Sequence, residues 1–211
     1  MKKIVLLFVA GFIFLQSHAE PVITKADTSI PRILILNAFN ASEIKARKNK
    51  KELFAELADS LKHYLRNEIR GNTEFEIVVS EGLENDTAGH ILNGLLQKHN
   101  CTSAIIISKL NVYFEQNGVE VTKNSDGSKT REAFYDICSD VRYLYYVNNA
   151  TPEVLDRKNC KFFTKRSVAS GMLAAGPDIV GKSKYAFIAI RLNAVMGADE
   201  MIYLLRKEAN Q

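Results

Sequence analysis

The chain has 211 residues, 46% of them hydrophobic, and a formal net charge of +4. That length and apolar content suit one globular domain with a real core and exclude a disordered or collagen-like chain. The basic excess is largely local: without residues 1–19, which carry Lys2 and Lys3 and no acids, the balance falls to +2, so no nucleic-acid partner is expected.

The amino terminus reads as a targeting segment. Lys2-Lys3, an apolar run over residues 4–15 and Ser17-His18-Ala19 have the basic, apolar and small-x-small layout of a secretory signal peptide. As a helix that run rises only about 18 Å, short of the roughly 30 Å hydrocarbon core, so a spanning anchor is not expected. Cleavage after Ala19 predicts an exported chain, periplasmic or secreted, with no stable membrane insertion. No cysteine stands at the cleavage site to carry a lipid. Residues 20–31 read as an exposed lead-in, and residues 32–211 as a single domain.

Arg32-Ile33-Leu34-Ile35-Leu36 is a short continuous apolar run, the pattern of a strand covered on both faces. A basic stretch over residues 42–51 leads into a long amphipathic helix. Leu53, Leu57, Leu61, Leu65 and Ile69 recur every four residues, with Phe54 and Ala58 widening the stripe. Asn49 and Glu52 suggest a capping box, and Gly71 a left-handed stop. Phe75-Glu76-Ile77-Val78-Val79 predicts a second strand. Thr87 is placed to cap a second helix from Ala88 to about His99, burying Ile91, Leu92, Leu95 and Leu96.

A meander follows. Residues 104–114 are β-branched and aromatic, and Asn117-Gly118 and Asp126-Gly127 are both hairpin-turn dipeptides. Tyr135, Ile137, Val141, Tyr143, Tyr145 and Val147 alternate, broken only by Ser139, while Asp136, Asp140 and Arg142 occupy the other face. After a turn over residues 148–152, residues 154–164 read as the last strand of the meander. Residues 167–177 are small and loop-like. Tyr185, Ile188, Ala189, Leu192 and Val195/Met196 have helical spacing, closed by Gly197, and residues 200–205 read as a short closing strand. The expected order is β-α-β-α-β-β-β-α-β. With right-handed crossovers and all helices on one face of a mixed sheet, this is an α+β two-layer sandwich.

The layout resembles an uncharacterised family of exported bacterial envelope proteins, many of them lipoproteins. Their αβ domain is like those of the curli-secretion lipoprotein and the TolB amino-terminal domain. The residues carrying the resemblance are 32–37, the long helix to Gly71, Asn100-Cys101-Thr102-Ser103-Ala104-Ile105-Ile106, and Arg142-Tyr143-Leu144-Tyr145 with Pro152-Glu153-Val154-Leu155-Asp156. The terminal helix with Met201-Ile202-Tyr203-Leu204-Leu205-Arg206 completes them. The chain departs from the family in lacking the lipid-anchor cysteine. The resemblance implies a non-catalytic envelope role with an envelope protein partner, and brings no catalytic residues and no cofactor.

Several local patterns carry possible chemistry. Gly176-Pro177-Asp178-Ile179-Val180-Gly181-Lys182-Ser183 matches a P-loop letter for letter, but residues 167–175 make a poor preceding strand, and proline removes one phosphate-binding amide. Lys45, Arg47, Lys48, Lys50 and Lys51 form a candidate anion patch whose plainer reading is a solvated loop before a helix. His63 is four residues from Asp59, His99 is close to Cys101, and His90 opens the second helix; none has a complete metal or general-base set. Asp86-Thr87-Ala88 resembles an O-glycosylation triplet, but its plainer reading is a helix cap. Tyr143, Tyr145, Tyr146, Phe162 and Phe163 gather aromatics on adjacent strands, more a core than a platform.

The three cysteines, Cys101, Cys138 and Cys160, allow one bridge in an oxidising compartment. A turn centred on residues 148–150 sets Cys138 opposite Cys160 and predicts a disulfide between them, with Cys101 free. Moving that centre by one residue would make the pair diagonal. Function is then expected to be binding, as an accessory or assembly component of an envelope. The alternative is a small envelope enzyme acting on glycan or peptide. Three or more titratable side chains converging in a cleft would mark the enzyme; a bare apolar patch or sheet edge would mark the binding protein.

Overall fold

The computed structural model describes residues 31–71, 76–79, 90–147, 151–168 and 177–209. The expected signal peptide, lead-in and Asp86-Thr87-Ala88 triplet lie outside them. The described chain runs β1 (Arg32–Asn37), α1 (Lys48–Arg70), β2 (Glu76–Val79), α2 (His90–His99), β3 (Ser103–Lys123), β4 (Lys129–Val147), β5 (Glu153–Val168) and α3 (Ser183–Ala209). The sheet order is β2-β1-β3-β4-β5, parallel across β2-β1-β3 and antiparallel across β3-β4-β5. The fold is α+β on a mixed sheet.

The placement of the helices on one face is corrected. Ile33, Ile35, Ile105 and Ile107 pack with α1 and α3, whereas Leu34, Leu36, Ala104 and Ile106 pack with Leu92 and Leu96 of α2. From β1 the chain steps outward to β2, then back across β1 to β3. Two right-handed crossovers travelling in opposite directions put their helices on opposite faces. The sandwich therefore gains a partial third layer, α2, over β1 and the start of β3. Beyond it, no described element covers the same face of β3-β4-β5.

The expected closing strand over residues 200–205 is helix, part of α3. Gly197 does not stop it. A Cβ built there would lie 3.0 Å from the ring of Tyr143, so this glycine lets the helix approach β4. Met201, Leu204 and Leu205 then continue the buried stripe.

Helix ends differ too. α1 begins at Lys48 behind Arg47, with no side-chain cap, so Asn49 lies inside the helix and makes no capping box. Gly71 is right-handed (φ −59°), and the left-handed stop is Asn100 (φ 52°) after α2. There the amide of Cys101 donates to the Leu96 carbonyl at 2.9 Å and that of Asn100 to Gln97 at 3.1 Å, a Schellman pair that turns the chain into β3. Asn117-Gly118 is not a turn. β3 runs through it with a register shift at Gln116/Gly118, and the hairpin closes at Asp126-Gly127, where Gly127 has φ 85°.

Candidate interaction surface

The open face of β3-β4-β5 follows directly from strand alternation. Asp136, Asp140 and Arg142 point away from α3, and β3 and β5 supply partners across the ladder. Lys109 Nζ donates to Asp140 at 2.8 Å, Lys158 Nζ to Glu115 at 2.8 Å and Asn117 Nδ2 to Asp136 at 2.8 Å. Arg142 grips Asp156 with two bonds of 2.7 and 2.9 Å. Three ion pairs thus spread over this face. Among the described residues Asp136 has only the neutral Asn117 amide, its Oδ1 has no partner, and these groups do not converge on a cleft.

Cys138 and Cys160 also lie on this face, in opposed register and joined by a disulfide, with Cα atoms 4.1 Å apart. Glu115 completes a set of three potential metal-donor atoms within 4.8 Å of one another. The S–S bond leaves neither sulfur as a thiolate ligand. Cys101 is free and buried, and burial pushes its thiol pKa up.

The other candidate residues are dispersed. Within the basic stretch, Lys51 Nζ donates to the Ser42 carbonyl at 2.7 Å, Lys48 pairs with Glu52 at 3.6 Å, and Lys50 lies over the Phe54 ring at 5.7 Å. Only Lys45 and Arg47 of the five project without a described partner. His63 shares exposed Asp59 with Lys62. Cys101 meets His99 through its backbone carbonyl and not its ring, and His90 is simply the first residue of α2. In the P-loop match, the Asp178 carboxylate accepts from the amides of Val180 (3.3 Å) and Gly181 (3.4 Å). The backbone donors a phosphate would need are thus already facing a fixed negative charge.

The aromatic group splits in two. Tyr143 and Tyr145 are buried in the main core, and Tyr146 packs on the α2 side. Phe162 is exposed, while Phe163 lies between Phe114 (4.8 Å) and Tyr185 of α3 (4.5 Å).

The feature sequence reasoning missed is on α3. Its buried side is built from Ala186, Ala189, Ile190, Asn193, Ala194 and Ala198, among others. Of the residues whose spacing marked this helix, Ala189 is buried and Leu192 half-buried, whereas Tyr185, Ile188, Val195 and Met196 lie on the outer side, joined by Tyr203 at 67% exposure. At 100° per residue Tyr185, Ile188, Met196 and Tyr203 share one side of the helix. The Phe163–Tyr185 ring contact and the Arg157–Glu200 ion pair turn this flank toward β5. Among the described residues β5 is the sheet edge; its exposed Val154 and Phe162 oppose Leu144 and Asp136, on the face turned away from α3, so the α3 flank meets the strand at its backbone edge. An apolar helix flank and a free strand edge therefore border one surface. The signal that could have found it is side-chain size, since small residues mark the face that approaches the sheet.

No family model and no curated protein sequence matches the chain. Among solved structures it is similar to rare lipoprotein B from Shewanella oneidensis, at 8% identity and a TM-score of 0.36 over 85% of this chain and 97% of that one. It is also similar to a minor lipoprotein from Acinetobacter baumannii, at 9% identity and a TM-score of 0.37, covering 82% and 92%. A neuraminyllactose-binding hemagglutinin homolog from Helicobacter pylori gives 13% and 0.47, covering 83% and 89%. At such identities and scores these likenesses carry no argument about function. Among the described residues no helix is long and apolar enough to cross a membrane.

Proposed function

We propose that this is an exported accessory protein of a bacterial envelope that acts by docking a protein partner on the α3 flank beside β5. The carrying observation is the stripe of Tyr185, Ile188, Val195, Met196 and Tyr203, exposed on a helix whose other sides are packed. Large exposed apolar side chains repeated along one helix flank favour an interaction site, because water contact with them is unfavourable and a partner relieves it. The export half of the reading rests on Lys2-Lys3, the apolar run and Ser17-x-Ala19.

Affinity capture of the mature chain from its own envelope fraction tests the docking reading. Met196→Glu and Tyr203→Glu should fold as wild type and lose the captured partner at least tenfold, while Lys109→Glu on the open sheet face should retain it. An identical bound set for all three variants would sink the reading. For export, intact mass should give a mature chain starting at Glu20; retention of residues 1–19 or a lipid adduct would refute it.

A further inference from the structure

β5 is an edge strand of 16 residues, and among the described residues no strand lies beyond it. Its hydrogen-bond phase can be read from one distance. Cys138 and Cys160 are opposed with Cα atoms 4.1 Å apart. That is near the roughly 4.5 Å of a non-hydrogen-bonded antiparallel pair and well under the roughly 5.5 Å of a bonded one. In a non-bonded pair each residue turns its N–H and C=O away from the facing strand. Cys160 therefore presents both groups to the free side, and by the two-residue period so do Val154, Asp156, Lys158 and Phe162. The register shift opposite Tyr135/Asp136 comes only beyond Phe162.

The edge is also charged. β5 carries Arg157, Lys158, Lys161, Lys165 and Arg166 against Glu153 and Asp156. Arg157, Lys158 and Lys165 are paired with Glu200, Glu115 and Glu132. Lys161 and Arg166 are exposed and have no ionic partner among the described residues.

We propose that this edge receives a sixth strand: an extended acidic segment of a protein partner, hydrogen-bonded to β5, with apolar side chains laid under the α3 stripe. The backbone supplies a ladder of at least three outward N–H and C=O groups, at Lys158, Cys160 and Phe162. The stripe supplies the apolar cover that a strand in this position would meet, since α3 already overhangs β5 at Tyr185 and Glu200. Charge selects the occupant. Carboxylates on the incoming strand meet Lys161 and Arg166, whereas a second copy of this chain would bring the same basic strand against itself, and facing like charges are unfavourable. Strand addition of this type takes affinity from main-chain bonds and specificity from side chains.

This inference rests on the docking reading and names its partner, so the test separates the two. The probe is a phage-displayed library of random 12-residue peptides, selected on the mature protein. The selected peptides should be rich in Asp and Glu with interspersed apolar residues. They should bind Phe162→Ala within about threefold of wild type and lose at least tenfold toward Phe162→Pro, which removes one outward N–H. In hydrogen exchange on wild type, a selected peptide should protect the amides of Lys158, Cys160 and Phe162 but leave Asn159 and Lys161, already bonded to β4, unchanged. Selection of neutral or basic peptides, or no selection, would overturn the proposal. So would absence of that protection pattern, which decides the matter even should Phe162→Pro fail to fold. A concentration-dependent dimer abolished by Phe162→Pro would replace the acidic partner with a second copy. An envelope partner lost by Met196→Glu yet kept by a folded Phe162→Pro would leave the docking reading standing and remove this one.

Discussion

The hydroxyl of Tyr143 donates a 2.9 Å hydrogen bond to Oδ1 of Asn193, with both side chains completely buried between β4 and α3. Asn193 Nδ2 in turn donates to the Arg157 carbonyl at 3.0 Å and to Ser139, whose hydroxyl donates to the Ala189 carbonyl at 3.1 Å. One buried asparagine thus ties α3 to both β4 and β5. This holds in place the helix whose outer side carries the apolar stripe.

Tyr143→Phe should cost about 1–3 kcal/mol, because it leaves the Asn193 carbonyl oxygen unpaired in a dry site. Asn193→Ala should cost more, since it also removes the Nδ2 bonds to Ser139 and the Arg157 carbonyl and leaves a cavity between β4 and α3. Denaturant melts of both variants and the double variant should show a coupling of about 1 kcal/mol; additive losses would mean the bond contributes nothing of its own. Burial also pushes the Tyr143 phenol pKa far up. With a folded value above the unfolded one, this stability is intact below about pH 10 and falls as pH rises from there. Tyr143→Phe should therefore flatten the alkaline limb of the stability profile.

The Cys138–Cys160 bridge spans 22 residues of sequence, which in the chain-entropy model stabilises the fold by about 3 kcal/mol. Cys138→Ser with Cys160→Ser should lower the denaturant midpoint accordingly. Peptide mapping of the unreduced, unfolded protein should find alkylation at Cys101 alone. Finding Cys138 and Cys160 both alkylated would remove the bridge.

Gly197→Ala offers a test of how closely α3 sits on the sheet. Helix propensity alone favours alanine by about 1 kcal/mol. Here the new methyl would press on the Tyr143 ring at 3.0 Å, and that ring is buried and held by Asn193. Overpacking of this kind costs about 1–3 kcal/mol, so the variant should be neutral to less stable. A gain approaching 1 kcal/mol would show that the helix has room to lift.

Much of this fold was legible because the deciding forces are local. Leu53, Leu57, Leu61, Leu65 and Ile69 announce α1, and the alternation through Tyr143 and Tyr145 announces β4, whose buried positions match it. The face taken by α2 was not legible, because it depends on whether β3 joins β1 or β2, a long-range choice of strand order. The outer flank of α3 was not legible for a different reason: helical spacing shows that a helix forms, not which of its sides a sheet accepts. Against a sheet held at close range Ala186, Ala189, Gly197 and Ala198 fit, and Tyr185 and Met196 stay outside. The residues left outside are then the candidate site.

The nucleotide reading makes a sharp negative prediction. Asp178 occupies the amides of Val180 and Gly181 with its own carboxylate. Lys182→Ala should therefore leave stability unchanged, and calorimetry should detect no Mg²⁺-dependent ATP binding in either protein. Asp178→Ala should cost about 1 kcal/mol through loss of the turn that starts α3. ATP binding that Lys182→Ala abolishes would reverse this assignment.

Acid stability turns on the open sheet face. The paired hydrogen bonds from Arg142 hold the Asp156 carboxyl below the usual carboxylate range, and the Ser128 hydroxyl and amide do the same for Asp126 at the hairpin turn. A folded pKa below the unfolded one gives stability that is complete above about pH 4 and is lost as pH falls through the lowered folded value. Both groups are solvent-exposed, so added salt should shrink the effect. Asp156→Asn should consequently lower stability at neutral pH slightly and make the profile below pH 4 shallower than wild type. Parallel wild-type and variant profiles through that window would show that the Arg142–Asp156 pair does not contribute to folding stability.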